Sequence, residues 1–378
     1  MSAPLFSPHS ADIVVIGAGI IGAASAYRLA QRGLKVVVLD KDRPASGSTG
    51  RSVAGVRAQF HNETNIVLSR ESIAEYAAMP GSGYRAEGYL MLIPEAGWPE
   101  HREAVTLQQR LGIPSEALTP DEAQRYATFD TAGLGGCSYC PTDGKVDAHS
   151  LNHEYVRLAR EAGARVLLDT PVTGLERVGE VWHVQTPGGT FEAPQLLNAA
   201  GAWSGEVGRL AGLDIPVQPA RRMVFCTGPL TLPRPVPMTF DLGSGVYLRS
   251  EGERLIFGRA DPLDTGWREG LNWDWLDPTL ELALTRWPWL EAASLDRNAS
   301  WWGYYELTPD GFPVVGRMPG VDGWLNACGF SGHGVMQAAA TGRVMAQIAV
   351  GETPFIDVSP LGMERFDGTA VRRVDLQV

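Results

Sequence analysis

Cysteine, positive charge and long apolar runs are scarce in this sequence, and each shortage excludes a class of protein. Four cysteines in 378 residues are too few for a disulfide framework. With 43 acidic and 32 basic residues the net charge is −11, which disfavours nucleic acid as a partner. No uninterrupted apolar run reaches the roughly 18 residues of a membrane span, and MSAPLFSPHSAD lacks a leader pattern. We therefore expect a cytoplasmic protein without a transmembrane segment.

Two of the cysteines form a C-x-x-C pair, Cys137 and Cys140. A zinc site needs a second pair of ligands, and the nearest candidates, His149 and His153, belong to a predicted helix start beyond an Asp-Gly turn. We expect buried or half-buried thiols and no bound metal.

A composition that is 44% hydrophobic and 20% charged can form a large core, and the length suggests two or three domains. The N-terminal part predicts a βαβ unit: a buried strand at Ile13 to Ile16, a helix from Ile20 to Arg32 and a second strand from Lys35 to Asp40. A strand–helix–strand pattern returns between Asp147 and Ala199.

The remaining chain is strand-rich and predicts a second domain inserted twice into the first. We predict a nucleotide-binding domain made of residues 10–84, 146–215 and 306–366, and a substrate-binding domain made of residues 85–145 and 216–305. The fold class is therefore α/β, a Rossmann-like domain with an interleaved antiparallel-sheet domain.

A Gly17-x-Gly19-x-x-Gly22 motif lies between the first strand and the first helix. Gly17 allows a tight turn, Gly19 lets a pyrophosphate approach the backbone, and Gly22 lets the helix pack closely on the strand. Asp40 ends the second strand, where a carboxylate can bind ribose hydroxyls. The context predicts dinucleotide binding. A hydroxyl-rich segment at 46–52 offers a second phosphate cradle, which favours FAD over NAD.

Several motifs together resemble those of one flavoenzyme superfamily. Seven segments carry this resemblance over about residues 12–352, and they are GAGIIG, KVVVLD, GSTGRSVAGVRAQF, DGKVD, NAAGAW, TPDGFPVVG and GFSGHGVMQAAATG. They follow the order of the FAD-binding motifs of the D-amino-acid oxidase and sarcosine oxidase superfamily. GSTGRS and GYYELTPD look most like the β subunits of sarcosine oxidase and L-proline dehydrogenase. The resemblance implies a glutathione-reductase-type FAD domain. Covalent attachment occurs in relatives, but no motif here resembles theirs, so we expect non-covalent FAD.

The resemblance also implies which residues contact FAD. Val172 would lie at the adenine, and the 329–336 loop would aim a helix N-terminus at the flavin N1–C2=O edge. The full set of expected contacts is Gly17, Gly19, Ile20, Ile21, Gly22, Asp40, Lys41, Ser48, Thr49, Arg51, Ser52, Val172, Ala200, Gly201, Trp203, Gly329, Ser331, Gly332, His333, Gly334, Val335 and Met336.

The substrate side carries fewer signals. Arg57 stands where monomeric sarcosine oxidases have a carboxylate-binding Arg, although an ordinary ion pair is the alternative. Tyr247 resembles a substrate-contacting Tyr of glycine oxidases, or is half-buried strand packing. Tyr305 and His333 complete the candidate catalytic set, although His333, like His61, is as well explained by a structural role.

Three positions depart from the family pattern. Met336 replaces a second carboxylate-binding Lys of monomeric sarcosine oxidases, and Tyr305 stands where D-amino-acid and glycine oxidases tend to have an Arg. Ile256 replaces the Lys that activates oxygen in sarcosine oxidases, which favours a dehydrogenase or a slow oxidase.

The resemblance implies an FAD-dependent enzyme that oxidises the C–N bond of a small amino acid or N-alkyl amino acid, of the sarcosine, proline, glycine or D-amino-acid type. A hydride would pass to flavin N5 and leave an imine. The electron acceptor would be O2 or an electron carrier or partner subunit. The alternatives are a flavoprotein with an assembly or partner-binding role, and an NAD-dependent dehydrogenase, which would be colourless.

Overall fold

The computed structural model describes residues 9–367. Residues 1–8, on which the expectation of no leader segment partly rests, lie outside the described residues. The helices are α1 (Ile20–Gln31), α2 (Glu63–Ala78), α3 (Trp98–Arg110), α4 (Pro120–Ala123), α5 (Ala148–Glu161), α6 (Ser204–Leu210), α7 (Leu276–Arg286) and α8 (Gly334–Ala349). None of the helices in the described range is long and apolar enough to cross a bilayer.

The strands follow in chain order. They are β1 (Ile13–Ile16), β2 (Val36–Leu39), β3 (Gly55–Val56), β4 (Tyr89–Pro94), β5 (Glu116–Leu118), β6 (Leu134–Cys140), β7 (Gly144–Lys145), β8 (Arg165–Leu167), β9 (Gly174–Val178), β10 (Val181–Thr186), β11 (Gly189–Ala193), β12 (Gln195–Asn198), β13 (Gln218–Cys226), β14 (Met238–Asp241), β15 (Val246–Glu251), β16 (Arg254–Arg259), β17 (Trp301–Leu307), β18 (Val314–Arg317) and β19 (Trp324–Cys328).

The first sheet has the strand order β18-β19-β12-β1-β2-β8 and is parallel except for its edge strand β18. Its central strand β1 is buried on both faces, as its β-branched run predicts. Ile13 and Val15 face a core shared with α1, α5 and α8, whereas Val14 and Ile16 face the opposite core. The predicted βαβ unit is confirmed, with bounds within one or two residues.

The opposite face is covered by an antiparallel meander of β9, β10 and β11, which the sequence analysis did not predict. Its Trp182, Val184 and Phe191 pack in the same core as Val14. Each of these strands is short and buries only one or two residues, so its alternating hydrophobic signal is weak.

The second sheet has the order β17-β13-β16-β15-β14-β4-β6-β5 and is antiparallel except where β14 pairs with β4. It confirms the predicted α/β fold class with a second, largely antiparallel sheet. The predicted domain boundaries stay a prediction, and β17 runs through the one set at 305/306.

Cys137 and Cys140 lie in β6, fully buried, and burial raises the pKa of each thiol to about 12. Residues 9–367 contain no His, Cys, Asp and Glu cluster suited to a metal.

Candidate active site

The Gly17–Gly22 segment forms a turn that requires glycine at both ends. Gly17 has a φ of +106°, and a Cβ there would lie 2.4 Å from the carbonyl oxygen of Ala199. A Cβ at Gly22 would lie 2.0 Å from the carbonyl oxygen of Gly17. Gly19, which is the N-cap of α1, has no such obstruction, since a Cβ there would meet only Thr49 Oγ1 at 3.4 Å. This turn is therefore built to receive an anion at a helix N-terminus.

Asp40 lies beside this turn at the end of β2. Its Oδ2 accepts a hydrogen bond from the Ala18 amide at 2.6 Å, and its Oδ1 accepts one from the Asp42 amide at 2.8 Å. Burial raises the pKa of Asp40, and the two amide bonds act in the opposite direction. The carboxylate is thus held against the glycine turn, in the position that a ribose-binding acid requires.

A cavity of about 590 Å³ opens at the glycine turn and extends between the two sheets. This volume suits a large organic cofactor together with a small substrate. The four catalytic candidates, Arg57, Tyr247, Tyr305 and His333, all line this cavity. The predicted cofactor residues that line it are Gly17, Gly19, Ile20, Ile21, Asp40, Lys41, Ser48, Thr49, Arg51, Ser52, Val172, Ala200, Gly201, Trp203, Gly332, His333, Gly334, Val335 and Met336.

Three predicted cofactor residues do not line this cavity. Gly22 lies beneath the turn and acts through packing. The amide of Gly329 donates to Glu306 Oε2 at 2.8 Å, and Ser331 lines a smaller side cavity of about 50 Å³. Their roles at the cofactor, like those of the lining residues, stay predictions.

The 46–52 segment forms the wall of the cavity next to the glycine turn. Thr49 Oγ1 accepts a hydrogen bond from the Ile20 amide at 3.1 Å, which joins this segment to the start of α1. Ser48 Oγ is buried without a hydrogen-bond partner in the described residues. A buried hydroxyl is rarely left unpaired, so its position fits a ligand with acceptor oxygens, such as a phosphate. The turn, Asp40 and this cradle together fit a dinucleotide that has a pyrophosphate and a ribose.

The N-terminus of α8 reaches the same cavity through a turn at 329–333. Ser331 and Gly332 have φ values of +49° and +92°. A Cβ on Gly332 would lie 2.5 Å from the ring of Tyr305, so this position also requires glycine. Glu306 holds the turn by accepting from the Gly329 amide, and burial raises the pKa of Glu306 to about 7. Sequence reasoning missed Glu306.

Arg57 lies at the far end of the cavity, directly after β3. It is 6% exposed, and burial lowers its pKa. Its Nη1 donates to the Gln59 carbonyl oxygen, and its Nη2 lies 3.3 Å from His333 Nε2. Within residues 9–367 no carboxylate oxygen lies within 4.0 Å of this guanidinium, so no direct ion pair is formed, and the buried Asp143 raises the pKa of Arg57 only from a longer distance.

His333 is the N-cap residue of α8 and acts as an acceptor for Arg57. Burial, and to a smaller extent the neighbouring Arg57, lowers the pKa of His333 to about 3. The imidazole is therefore neutral, and because an arginine can only donate, its Nε2 carries the lone pair. A neutral ring whose lone pair is engaged with a guanidinium orients Arg57 and is a poor general base at neutral pH.

Tyrosine side chains complete this end of the cavity. Tyr247, Tyr305 and Tyr89 all line it, and burial raises the pKa of each phenol. No hydroxyl of the three is hydrogen-bonded to another of residues 9–367. Tyr247 also packs on Phe240, with 5.3 Å between the ring centres. The packing role and a ligand-binding role are thus compatible for Tyr247.

The structure adds Arg222, which the sequence analysis did not select. This arginine lies in the middle of β13, is 7% exposed and lines the cavity. Its Cζ lies 5.3 Å from the centre of the Tyr305 ring. The available signal was a charged residue inside the apolar run ARRMVFC, which a buried strand does not tolerate without a reason.

Comparisons with known proteins agree with this geometry. Residues 12–348 match the family "DAO: FAD dependent oxidoreductase". A solved L-proline dehydrogenase from P. horikoshii is 30% identical, with a TM-score of 0.87 and 95% of this chain and 98% of that chain covered. Glycine oxidase from Geobacillus kaustophilus is 27% identical over 95% of this chain and 98% of that protein.

Human mitochondrial sarcosine dehydrogenase is 28% identical over 95% of this chain. The chain spans only 42% of the length of that relative. The predicted resemblance and the predicted cofactor are confirmed: the chain belongs to the DAO family of FAD-dependent oxidoreductases, and FAD is its cofactor.

Proposed function

We propose that the protein is an FAD-dependent dehydrogenase that oxidises the C–N bond of a small amino acid or N-alkyl amino acid to an imine. One observation carries the proposal: the buried guanidinium of Arg57, which has no carboxylate partner in the described residues, lies in the wall of the cavity that fits FAD. An unpaired buried cation is costly, and a substrate carboxylate is the group that would compensate it.

In this proposal Arg57 fixes the substrate by its carboxylate. A guanidinium binds a carboxylate bidentately, and the bonds to Gln59 and His333 hold the guanidinium plane in one orientation. The hydroxyls of Tyr247 and Tyr305 are free to donate to the same substrate. Orientation of this kind contributes on the order of 7 kcal/mol or more to lowering a barrier.

The residues around the substrate also set the protonation state of its amine. Arg57 is a cation, His333 and the tyrosines are neutral, and burial disfavours the charged form of Glu306, which also lines the cavity, so an ammonium group is not favoured there. The substrate therefore binds with a neutral amine, whose lone pair forms the C=N bond as the Cα–H bond breaks. Bound FAD would supply the acceptor for that hydride at its N5. No protein base is needed for this step.

The cavity wall supports a dehydrogenase with non-covalent FAD. Lys41 is the only lysine among the described lining residues, and it lies over Trp203 at 4.4 Å, on the cofactor side. By the family resemblance Ile256 replaces the oxygen-activating Lys of sarcosine oxidases; it packs with Val224, which lines the cavity, and is not itself among the described lining residues. The described lining contains no cysteine, and its one histidine, His333, is engaged with Arg57. Two similar proteins are named as dehydrogenases of sarcosine and of L-proline.

The test is an anaerobic titration of the FAD-loaded protein with sarcosine, L-proline, glycine, D-amino acids and amino acids that carry a second carboxylate. The proposal predicts that at least one amine bleaches the flavin absorbance, and that air restores it more slowly than an artificial electron acceptor does. A flavin band unchanged by every amine would contradict the proposal and favour an assembly or partner-binding role.

A further inference from the structure

Four arginines are buried in residues 9–367, and they divide into two pairs by their partners. Arg221 Nε lies 2.8 Å from Asp264 Oδ2, and Arg249 Nη2 lies 2.6 Å from Glu251 Oε2. Arg57 and Arg222 have no carboxylate oxygen within 4.0 Å in the described residues. The two arginines without a carboxylate partner are the two that line the cavity.

Arg222 is only partly satisfied by the protein. Its Nη1 donates to the carbonyl oxygens of Arg221 and Asp261, at 2.9 and 3.1 Å. Its Nε is buried without a partner, and its Nη2 makes no hydrogen bond to another described residue. Burial lowers the pKa of Arg222, as it does for Arg57. One edge of the guanidinium is thus held by the backbone while donors on the rest of it are left for a ligand.

The two guanidiniums approach one ligand volume from different strands. Arg57 follows β3 and Arg222 lies within β13, yet both line the main cavity and the side cavity of about 50 Å³ next to it. Tyr305 is near both: Arg222 lies over its ring, and both arginines lower its pKa, against the raising effect of burial. Asp264 and Asp261 favour the charged form of Arg222 from beyond 4.0 Å, but a monocarboxylate on Arg57 would still leave donors of the buried Arg222 guanidinium without a partner, which is unfavourable.

Resting on the function proposed above, we propose that Arg222 is a second anion-binding residue and that the substrate carries two carboxylates, one for each guanidinium. The substrate class is then an acidic amino acid, or an amino acid whose nitrogen carries a carboxyalkyl group. Arg57 orients the carboxylate next to the reacting Cα–H, and Arg222 selects substrates by the second carboxylate.

The first test uses the wild-type FAD-loaded protein and non-reacting ligands. Acetate and propionate are compared with malonate, succinate and glutarate by the perturbation that each causes in the flavin spectrum. We expect the best dicarboxylate to bind about tenfold or more tightly than either monocarboxylate, because it gains a second charge-assisted contact. Equal affinity of the two classes would overturn the two-carboxylate inference.

The second test uses Arg222→Met and Arg222→Lys, with Arg259→Met as the matched control. Arg259 lies in β16 of the same sheet over Trp275 at 4.7 Å, outside the lining of the cavity. Arg222→Met should bind acetate as the wild type does but should no longer bind dicarboxylates more tightly than monocarboxylates. Arg222→Lys should keep part of the preference for dicarboxylates, and the control should keep all of it. Equal weakening of acetate and succinate in Arg222→Met would mean that both arginines share one carboxylate, and the inference would be wrong.

The outcomes separate this inference from the proposed function. If amines bleach the flavin but aspartate, glutamate and N-(carboxymethyl)glycine are no better than sarcosine or proline, only the two-carboxylate inference fails. If no amine bleaches the flavin and no carboxylate perturbs its spectrum, the proposed function fails and the inference fails with it.

Discussion

The two ends of the cavity are built in different ways. The cofactor end is shaped mainly by backbone: a Cβ on Gly17 or Gly22 would lie 2.4 or 2.0 Å from a carbonyl oxygen, and α1 and α8 present their N-termini. The substrate end is shaped by side chains on separate strands, with Arg57 after β3, Tyr247 on β15 and Tyr305 on β17. A backbone site leaves a local motif in the sequence, whereas a side-chain site is assembled only by the fold.

The difference also concerns stability. The cofactor end is formed by closely packed backbone, so changes there should damage the folded state itself. At the substrate end, two buried guanidiniums have no carboxylate partner in residues 9–367, so the protein is expected to be less stable than it would be with apolar residues there. Changes at the substrate end should alter ligand binding without lowering stability.

The largest effect is expected at the cofactor end. Gly22→Ala places a Cβ 2.0 Å from the Gly17 carbonyl oxygen, where neither backbone can yield. We expect the free energy of unfolding to fall by about 3 kcal/mol and the purified protein to contain no FAD. Gly97→Ala is the control, since a Cβ there meets Ile93 at an ordinary 3.5 Å. Chemical denaturation measures the free energy of unfolding of each variant, and flavin absorbance measures its FAD content. A stable Gly22→Ala protein with its full content of FAD would contradict the difference between the two ends of the cavity.

At the substrate end, Arg57→Met should separate binding from stability. Loss of the charged contact should weaken the binding of a non-reacting carboxylate at least about 100-fold, while FAD stays bound. The variant removes a buried cation without a contacting carboxylate, but it also removes the bonds to Gln59 and His333, so its melting temperature should stay close to that of the wild type. Spectral titration and thermal denaturation are the measurements. A variant that binds the carboxylate as tightly as the wild type would show that Arg57 does not bind the substrate carboxylate.

Glu306 lies where the two ends meet, and it gives a pH test. Burial raises its pKa to about 7 from a usual 4.5, so the folded protein keeps a proton that the unfolded chain has released. Between about pH 4.5 and 7 the wild type should therefore lose stability as pH rises, on the order of 2 kcal/mol, and Glu306→Gln should not. The difference between the two unfolding free energies, measured from pH 4 to 8, should grow and then level off. A constant difference would mean that Glu306 does not titrate in this range.

The smallest expected effect is that of Tyr247→Phe. The Tyr247 hydroxyl bonds to no other described residue, and the ring packs on Phe240, so the variant keeps its packing. We expect carboxylate affinity to fall by about 1 kcal/mol with no change in melting temperature. An unchanged affinity, by the same titration, would show that Tyr247 serves packing alone.

The sequence could predict the parallel-sheet unit because each of its parts is local. The strand at Ile13–Ile16, the glycine turn and Asp40 lie within about 30 residues, which is the span of a βαβ unit. It could not predict the meander of β9, β10 and β11, whose short strands alternate weakly. Arg57 was found only through a family resemblance, and Arg222 was missed, because its neighbour Tyr305 is 83 residues away and is brought to it by pairing of β13 with β17.

The most direct test of the account is a crystal structure of the FAD-loaded protein with a non-reacting carboxylic acid. The account predicts that the pyrophosphate lies at the Gly17–Gly22 turn and the isoalloxazine ring reaches the other end of the cavity. A carboxylate should then be within hydrogen-bond distance of the Arg57 guanidinium. A ring that points away from Arg57, or a ligand that binds without contacting it, would contradict the account.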